Sequence, residues 1–225
     1  MINLTKNMCE VLLVLFRRKP VNYHDLSRST GLSVMGVSKI VKKLEEKNLV
    51  SVRSIGRSRV VYLFVVKDSL ELFSMVEHYY FEKFLKKHSA FEGFLRSLKE
   101  KIKADFCLIF GSYASGEEST SSDLDILIVS SKDTMEEFNT VKALLPIEVT
   151  PLFITKKDFI EGLGKNKRLY TEIYYGKRVL VVGAYQFWES VCNLPPLYAK
   201  LRGDKEFSTL SKDNKKYWKK WRDSA

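Results

Sequence analysis

The stretch that decides the fold of the second half of the chain is Phe106-Cys-Leu-Ile-Phe110-Gly111-Ser112-Tyr113-Ala114-Ser115-Gly116, followed six residues later by Asp123-Leu124-Asp125-Ile-Leu-Ile-Val129. Phe106–Phe110 is a short apolar run bounded by glycine, which reads as a buried strand. Gly111 permits close backbone approach, and Ser112 offers a hydroxyl and an amide at a helix start, where phosphate groups bind. Asp123 and Asp125 open a second apolar strand. Two residues apart on a strand, their side chains leave the same face. Neighbouring carboxylates repel unless a cation or hydrogen bonds hold them. A divalent metal with oxygen ligands is the ready explanation, since Mg²⁺ accepts one or two carboxylates together with phosphate oxygens.

Further along, Pro146-Ile147-Glu148-Val149-Thr150-Pro151-Leu152-Phe153-Ile154 places one charged residue in an otherwise apolar strand. A buried lone charge asks for a role, which makes Glu148 the candidate third acid. The alternative is an edge-strand glutamate facing water.

These residues resemble the nucleotidyltransferase superfamily of DNA polymerase β, and within it the small minimal nucleotidyltransferases. Gly-Ser, a short helix with a glycine, Ser122-Asp123-x-Asp125 and an apolar strand are all in place. Asn166–Gly176 and Lys177–Gly183 are similar to the closing helix, glycine and strand of that fold. The resemblance implies a mixed sheet flanked by helices, with Gly111, Ser112 and Ser122 at a nucleoside triphosphate, ATP first among them. It also implies Mg²⁺ on Asp123 and Asp125, with Glu148 completing the acidic set. Two departures stand out: glutamate replaces the more usual aspartate at 148, and Ser115 stands where many relatives carry arginine or lysine. Small transferases of this kind are often antitoxins that nucleotidylate a HEPN-type toxin, so the resemblance allows a protein acceptor beside a small-molecule one. It equally allows a domain that has lost catalysis and senses nucleotide or mediates assembly.

Outward toward the N-terminus, Leu4, Met8, Val11, Leu12, Leu15 and Phe16 recur at helical spacing until Arg17-Arg18-Lys19-Pro20. Basic residues followed by proline end a helix. Tyr23–Thr30 predicts a short helix broken by Gly31. Ser33 then caps a third helix whose stripe is Val37, Ile40, Val41 and Leu44. Two β-rich runs follow, Leu49–Ser54 and Val60–Val66, joined by Ile55-Gly56-Arg57-Ser58-Arg59. The order resembles a winged helix-turn-helix of the MarR or ArsR type. That resemblance implies double-stranded DNA as partner, with Ser33 and Ser38 approaching base edges. Lys39, Lys42 and Lys43 would lie on phosphates or bases, and Arg57 and Arg59 at the wing tip. A winged helix used only for protein contacts is the alternative.

The charge distribution by itself suits a solvated lysine-rich surface as well as a polyanion partner; together with the hairpin-tip arginines it favours DNA. Of the formal +11 carried by 225 residues, residues 1–66 hold 12 Lys/Arg against 4 Asp/Glu, a net +8. Residues 67–196 are close to neutral at −2, and residues 197–225 carry +5. A basic end on a neutral body points to a polyanion. No apolar run reaches the ~20 residues a membrane helix needs, and the start lacks a signal-peptide layout. Cys9, Cys107 and Cys192 are dispersed among apolar neighbours, without disulfide or metal-knuckle spacing, as expected of a cytoplasmic protein.

Between the two motifs, residues 67–104 form two amphipathic helical runs, which serve either domain packing or a homodimer interface. The aromatics Phe73, Tyr79, Tyr80, Phe81 and Phe84 exceed one stripe and lean toward the dimer. After residue 184 the chain ends in a basic aromatic tail, Lys215–Arg222, that either grips nucleic acid or packs as a closing helix. The expectation is thus an α/β two-domain chain. A winged helix (α with a β-wing) spans 1–66 and a helical connector 67–104. A mixed-sheet α+β nucleotidyltransferase-like domain spans 105–183, and a helical tail 184–225.

Overall fold

The computed structural model describes residues 3–17, 20–145, 147–165 and 167–192, so the expected tail beyond Cys192 and the Arg18-Lys19 helix stop lie outside the described residues. The chain divides into two compact units: among the described residues, one holds residues 3–70 with Val191 and Cys192, and the other Glu71–Ser190.

The first unit begins with α1 (Lys6–Leu15), whose N-terminus is closed by Thr5 accepting a hydrogen bond from the Met8 amide at 3.3 Å. A two-residue strand β1 (Val21–Asn22) leads into α2 (Tyr23–Thr30), capped by the Asn22 side chain and ended by Gly31 at φ +70°. Next comes α3 (Val34–Glu45), where Ser33 caps the Gly36 amide at 3.1 Å and Val37, Val41 and Leu44 form the buried stripe. Strands β2 (Val50–Ile55) and β3 (Ser58–Leu63) then pair as an antiparallel hairpin. The sheet order is β1-β3-β2. Val21–Asn22 is too short for any periodicity to announce it; only its pairing with Val60 and Val61 defines it.

The hairpin is tighter than expected. Ile55 pairs with Ser58, leaving Gly56-Arg57 as the whole loop, and Gly56 sits at φ +59°. A glycine in the left-handed region at the first central position is what a two-residue hairpin turn requires. Arg59 therefore lies within β3 opposite Ser54, its guanidinium 5.2 Å from the Tyr23 ring centroid, and only Arg57 is at the tip.

In the second unit, α4 (Leu70–Lys87) follows a 3-10 turn at Lys67–Ser69, and α5 (Glu92–Lys101) follows another at Ser89–Phe91. Then come β4 (Phe106–Ile109), the one-turn α6 (Gly111–Ser115), β5 (Leu124–Val129), α7 (Met135–Lys142) and β6 (Val149–Ile154). The unit closes with α8 (Lys156–Gly164), α9 (Arg168–Tyr175), β7 (Val179–Val182) and α10 (Ala184–Val191). The sheet order is β6-β5-β4-β7, parallel between β5 and β6 and antiparallel elsewhere, giving the expected mixed sheet of an α/β unit.

Both faces of this sheet are covered. On one face Cys107, Ile109, Ile126, Ile128 and Val179 form a single core with Phe81 and Phe84 of α4, Phe94, Leu95 and Leu98 of α5, and Phe138 and Val141 of α7. On the other, Phe106 meets Phe159 of α8 and Phe187 of α10 edge-on, at 5.2 and 5.4 Å. β4 and β7, and β5 from Ile126 onward, are accordingly apolar without alternation, as strands covered on both sides require. Within residues 67–104, α4 and α5 supply one layer of the unit's core. Phe81 and Phe84 are buried inside it, and Tyr80 packs against it.

A buried ion pair ties α4 to the approach of β7. Arg178 donates to Glu77 at 3.1 Å and to the Tyr174 carbonyl at 2.7 Å, with its guanidinium 4.4 Å from the Phe187 ring centroid. Burial pushes the Glu77 carboxyl up, and Arg178 opposes that shift. Cys9, Cys107 and Cys192 are all buried. Among the described residues, no helix is long and apolar enough to cross a membrane.

Candidate active site

β4 ends at Ile109, and the Phe110 amide donates to the Asp125 carbonyl at 3.1 Å, so the chain turns into α6 directly beside the start of β5. Gly111 makes that turn at φ +69°. A Cβ there would lie 3.0 Å from Asp125 Cγ and closer still to its Oδ2. The glycine is therefore required twice, once for its backbone conformation and once because the Asp125 carboxylate occupies the space a side chain would fill. Phe110 precedes α6 and provides no side-chain cap. The first amides of this turn have no side-chain acceptor, leaving donors for an incoming anion.

The far end of α6 is held firmly. Gly116 terminates it at φ +78° and its amide donates to the Ser112 carbonyl at 2.9 Å. Lys177 donates to the Ser115 carbonyl at 2.7 Å, and the Tyr80 hydroxyl to the Ala114 carbonyl at 3.3 Å. A cation at carbonyls that end a helix is favourable. Lys87 pairs with Glu118 at 2.6 Å and holds that carboxyl below its usual range. Positive charge thus reaches this turn from Lys87 and Lys177, although Ser115 carries none. Lys177 was read only as part of a closing segment, because a contact 62 residues distant has no local signature.

Asp123 precedes β5 and is exposed, whereas Asp125 is half-buried within it. Burial, and then the charge of Asp123, push the Asp125 carboxyl above its ordinary range. Among the described residues, neither aspartate has an ion pair or a side-chain hydrogen bond. Two adjacent carboxylates held without a counter-charge, one of them against a glycine that leaves room for nothing else, have the donor chemistry of a hard divalent cation. The pair fits Mg²⁺ with its remaining positions filled by water and phosphate.

Other expected site residues fall differently. Ser112 is half-buried on α6, within the turn. Ser122 Oγ accepts the Ser119 amide at 2.9 Å, so its hydroxyl closes the Ser119–Ser122 loop that delivers Asp123. Glu148 corrects the expectation of a buried strand charge. It lies just before β6, its side chain is 65% exposed, and it pairs with Lys142 at 2.7 Å. Edge position explains this: β6 has a neighbour on one side only, so its N-terminal end is wet. Among the described residues, no group of three or more histidine, cysteine, aspartate or glutamate side chains is gathered for a metal, so Glu148 does not join the aspartates. The residue in register with Asp125 on β6 is Thr150, which the sequence pattern gave no reason to single out.

In the first unit, Lys39, Lys42, Lys43, Arg57 and Arg59 are all exposed, and Ser38 is half-buried. Ser33 is committed to its cap. The exposed surface at the start of α3 consists instead of Val34 and Met35, which no polar-contact reading identifies.

Comparison with curated proteins and with solved structures gives no match. Residues 94–183, which contain β4, α6, β5, β6 and β7, match the family model described as Polymerase beta, Nucleotidyltransferase.

Proposed function

We propose that the chain is a DNA-binding regulator whose second unit transfers a nucleoside monophosphate from a nucleoside triphosphate, ATP first among them, to a hydroxyl of a protein or small molecule. The observation that carries the transfer is the Asp123–Asp125 pair, without a counter-charge among the described residues and with Asp125 packed against Gly111 at φ +69°. Asp123 and Asp125 would hold Mg²⁺. When bound, that ion supplies the positive charge that offsets the negative charge building on the α-phosphate oxygens. Gly111 lets the backbone approach the polyphosphate, and the uncapped amides and Ser112 hydroxyl of α6 orient it. The contacts from Lys177 and Tyr80 fix that turn before substrate arrives, so little reorganisation is left for the reacting complex. The acceptor hydroxyl attacks the α-phosphorus and pyrophosphate leaves. A HEPN-type toxin is one protein acceptor to test.

The DNA-binding part of the reading rests on the order α1-β1-α2-α3-β2-β3, which is that of a winged helix-turn-helix. The net +8 of residues 1–66 and the exposed lysines of α3 add to it. Two-fold pairing on a DNA site accompanies it as part of the proposal.

A second reading has its own support. Glu148 is turned to Lys142, and among the described residues no third carboxylate joins the pair, which suits a domain that binds nucleotide without transferring it. Incubation with labelled ATP, Mg²⁺ and cell extract separates the two. Transfer requires a labelled acceptor that disappears with Asp123→Asn and Asp125→Asn together, while DNA affinity is unchanged. Nucleotide binding with no labelled acceptor favours the sensor. Labelling that persists in the double variant removes the aspartates from the chemistry. Glu148→Gln discriminates further: retained labelling places the reaction on two carboxylates alone.

A further inference from the structure

The start of α3 carries an unusual surface for a helix read as facing DNA. Met35 is 70% exposed and Val34 37% exposed, while the lysines begin at Lys39. From Val34 to Lys43 the helix has no acidic side chain and no arginine, asparagine or glutamine. The forks that read guanine or adenine edges bidentately are therefore missing from its first turn. Solvent exposure of an unbranched apolar side chain is unfavourable in the free protein and is relieved only by an apolar partner. In the major groove the one apolar group on a base edge is the thymine C5-methyl. The hairpin tip tells the same story. Ile55 is 46% exposed beside Gly56-Arg57. Because Ile55 pairs with Ser58, the loop is only Gly56-Arg57, so it is slim and bears one arginine at its tip. A slim loop with a single guanidinium suits a narrow minor groove, whose deepened negative potential is a property of A·T tracts.

Resting on the DNA-binding reading above, we propose that the first unit selects A·T-rich duplex. Val34 and Met35 pack on thymine methyls under the first turn of α3, and Arg57 enters a narrowed minor groove beside them. Lys39, Lys42 and Lys43 supply phosphate contacts and no preference of their own. The exposed apolar residues are thus the specificity determinants, and the cations around them hold the register.

The test uses the full chain. Duplexes are selected from a randomised library, and affinity is then measured by fluorescence anisotropy for the selected duplex and for the same duplex with uracil replacing thymine. Uracil lacks only the methyl. The expected result is an A·T-rich selected site, and a loss of about fourfold in affinity per contacted methyl on the uracil duplex. The double variant Val34→Ala with Met35→Ala, changes at exposed positions, is expected to bind the thymine and uracil forms with nearly equal affinity. A wild-type chain that binds A·T-rich, G·C-rich and uracil duplexes alike overturns the inference and leaves DNA binding intact. Failure to bind any duplex at low salt overturns both, and leaves Val34, Met35 and Ile55 as a protein-contact patch.

Discussion

Replacing Gly111 with alanine tests the construction of the candidate active site directly, and Gly116 provides its control in the same unit. Both glycines are in the left-handed region, at φ +69° and +78°. An alanine there costs about 1–2 kcal/mol for the backbone alone. At Gly116 the nearest atom to a new Cβ is Lys87 Nζ at 3.8 Å, ordinary contact distance, so Gly116→Ala should cost no more than that. At Gly111 the methyl meets Asp125 Cγ at 3.0 Å and its Cβ at 3.4 Å. Asp125 Cβ is fixed by β5, so only the carboxylate can swing aside, at roughly 0.5–1.5 kcal/mol for an off-rotamer side chain. Gly111→Ala is therefore expected to lose about 1.5–3.5 kcal/mol, or roughly 6–14 °C in Tm, against about 4–8 °C for Gly116→Ala. The decisive measurement is the thermal shift produced by Mg²⁺ with a non-hydrolysable ATP analogue, since ligands stabilise the state that binds them. Gly116→Ala should keep this shift and Gly111→Ala should lose it. In a double-mutant cycle, Asp125→Ala should recover the excess cost of Gly111→Ala. Equal destabilisation by the two alanines, with both retaining the shift, would refute the idea that Gly111 exists to make room for Asp125.

Three other outcomes are expected. Because Asp125 has a raised carboxyl pKa in the folded state, the native form takes up its proton at higher pH than the unfolded chain does. Stability is therefore lost as pH rises through that folded value, so Asp125→Asn should raise the metal-free Tm at pH 7, with the gain shrinking as pH falls into the carboxylate range. Arg178→Met leaves Glu77 buried without its cation and should cost about 3–5 kcal/mol by urea denaturation, whereas Glu77→Leu with Arg178→Met should be close to neutral. Arg57→Ala should lower the log–log salt slope of DNA affinity by about 0.9, and an unchanged slope would remove the hairpin tip from the contacts.

The features legible in the sequence were those whose meaning is local. Gly111-Ser112 and Asp123-x-Asp125 stand in a fixed relation to two apolar runs, so turn, strand and carboxylate pair follow from spacing alone. Ser33, Gly31 and the stripe of α3 are likewise local. Glu148 misled because an apolar run cannot reveal whether its strand is central or at an edge, and only the β6-β5 pairing decides which residues stay wet. Amphipathic periodicity in residues 67–104 shows that each helix needs a partner without saying which surface supplies it, and that α4 and α5 pack on the second sheet is visible only in the structure. Arg59 was displaced from the tip because a five-residue glycine segment accommodates several turn lengths, and the Ile55–Ser58 pairing selects the shortest. Val34 and Met35 escaped notice because apolar residues at a helix start suggest core until their exposure is measured.

The position of β7 carries a consequence for how this chain is made. β4 lies between β5 and β7, yet β7 spans Val179–Val182, some seventy residues after β4 in the order of synthesis. Until those last residues emerge from the ribosome, one side of an entirely apolar strand has open hydrogen-bonding groups, the condition under which nascent chains pair with one another. Shielding that edge during translation, and any truncation upstream of Val179, should therefore govern yield and aggregation more strongly than changes on the helical surfaces.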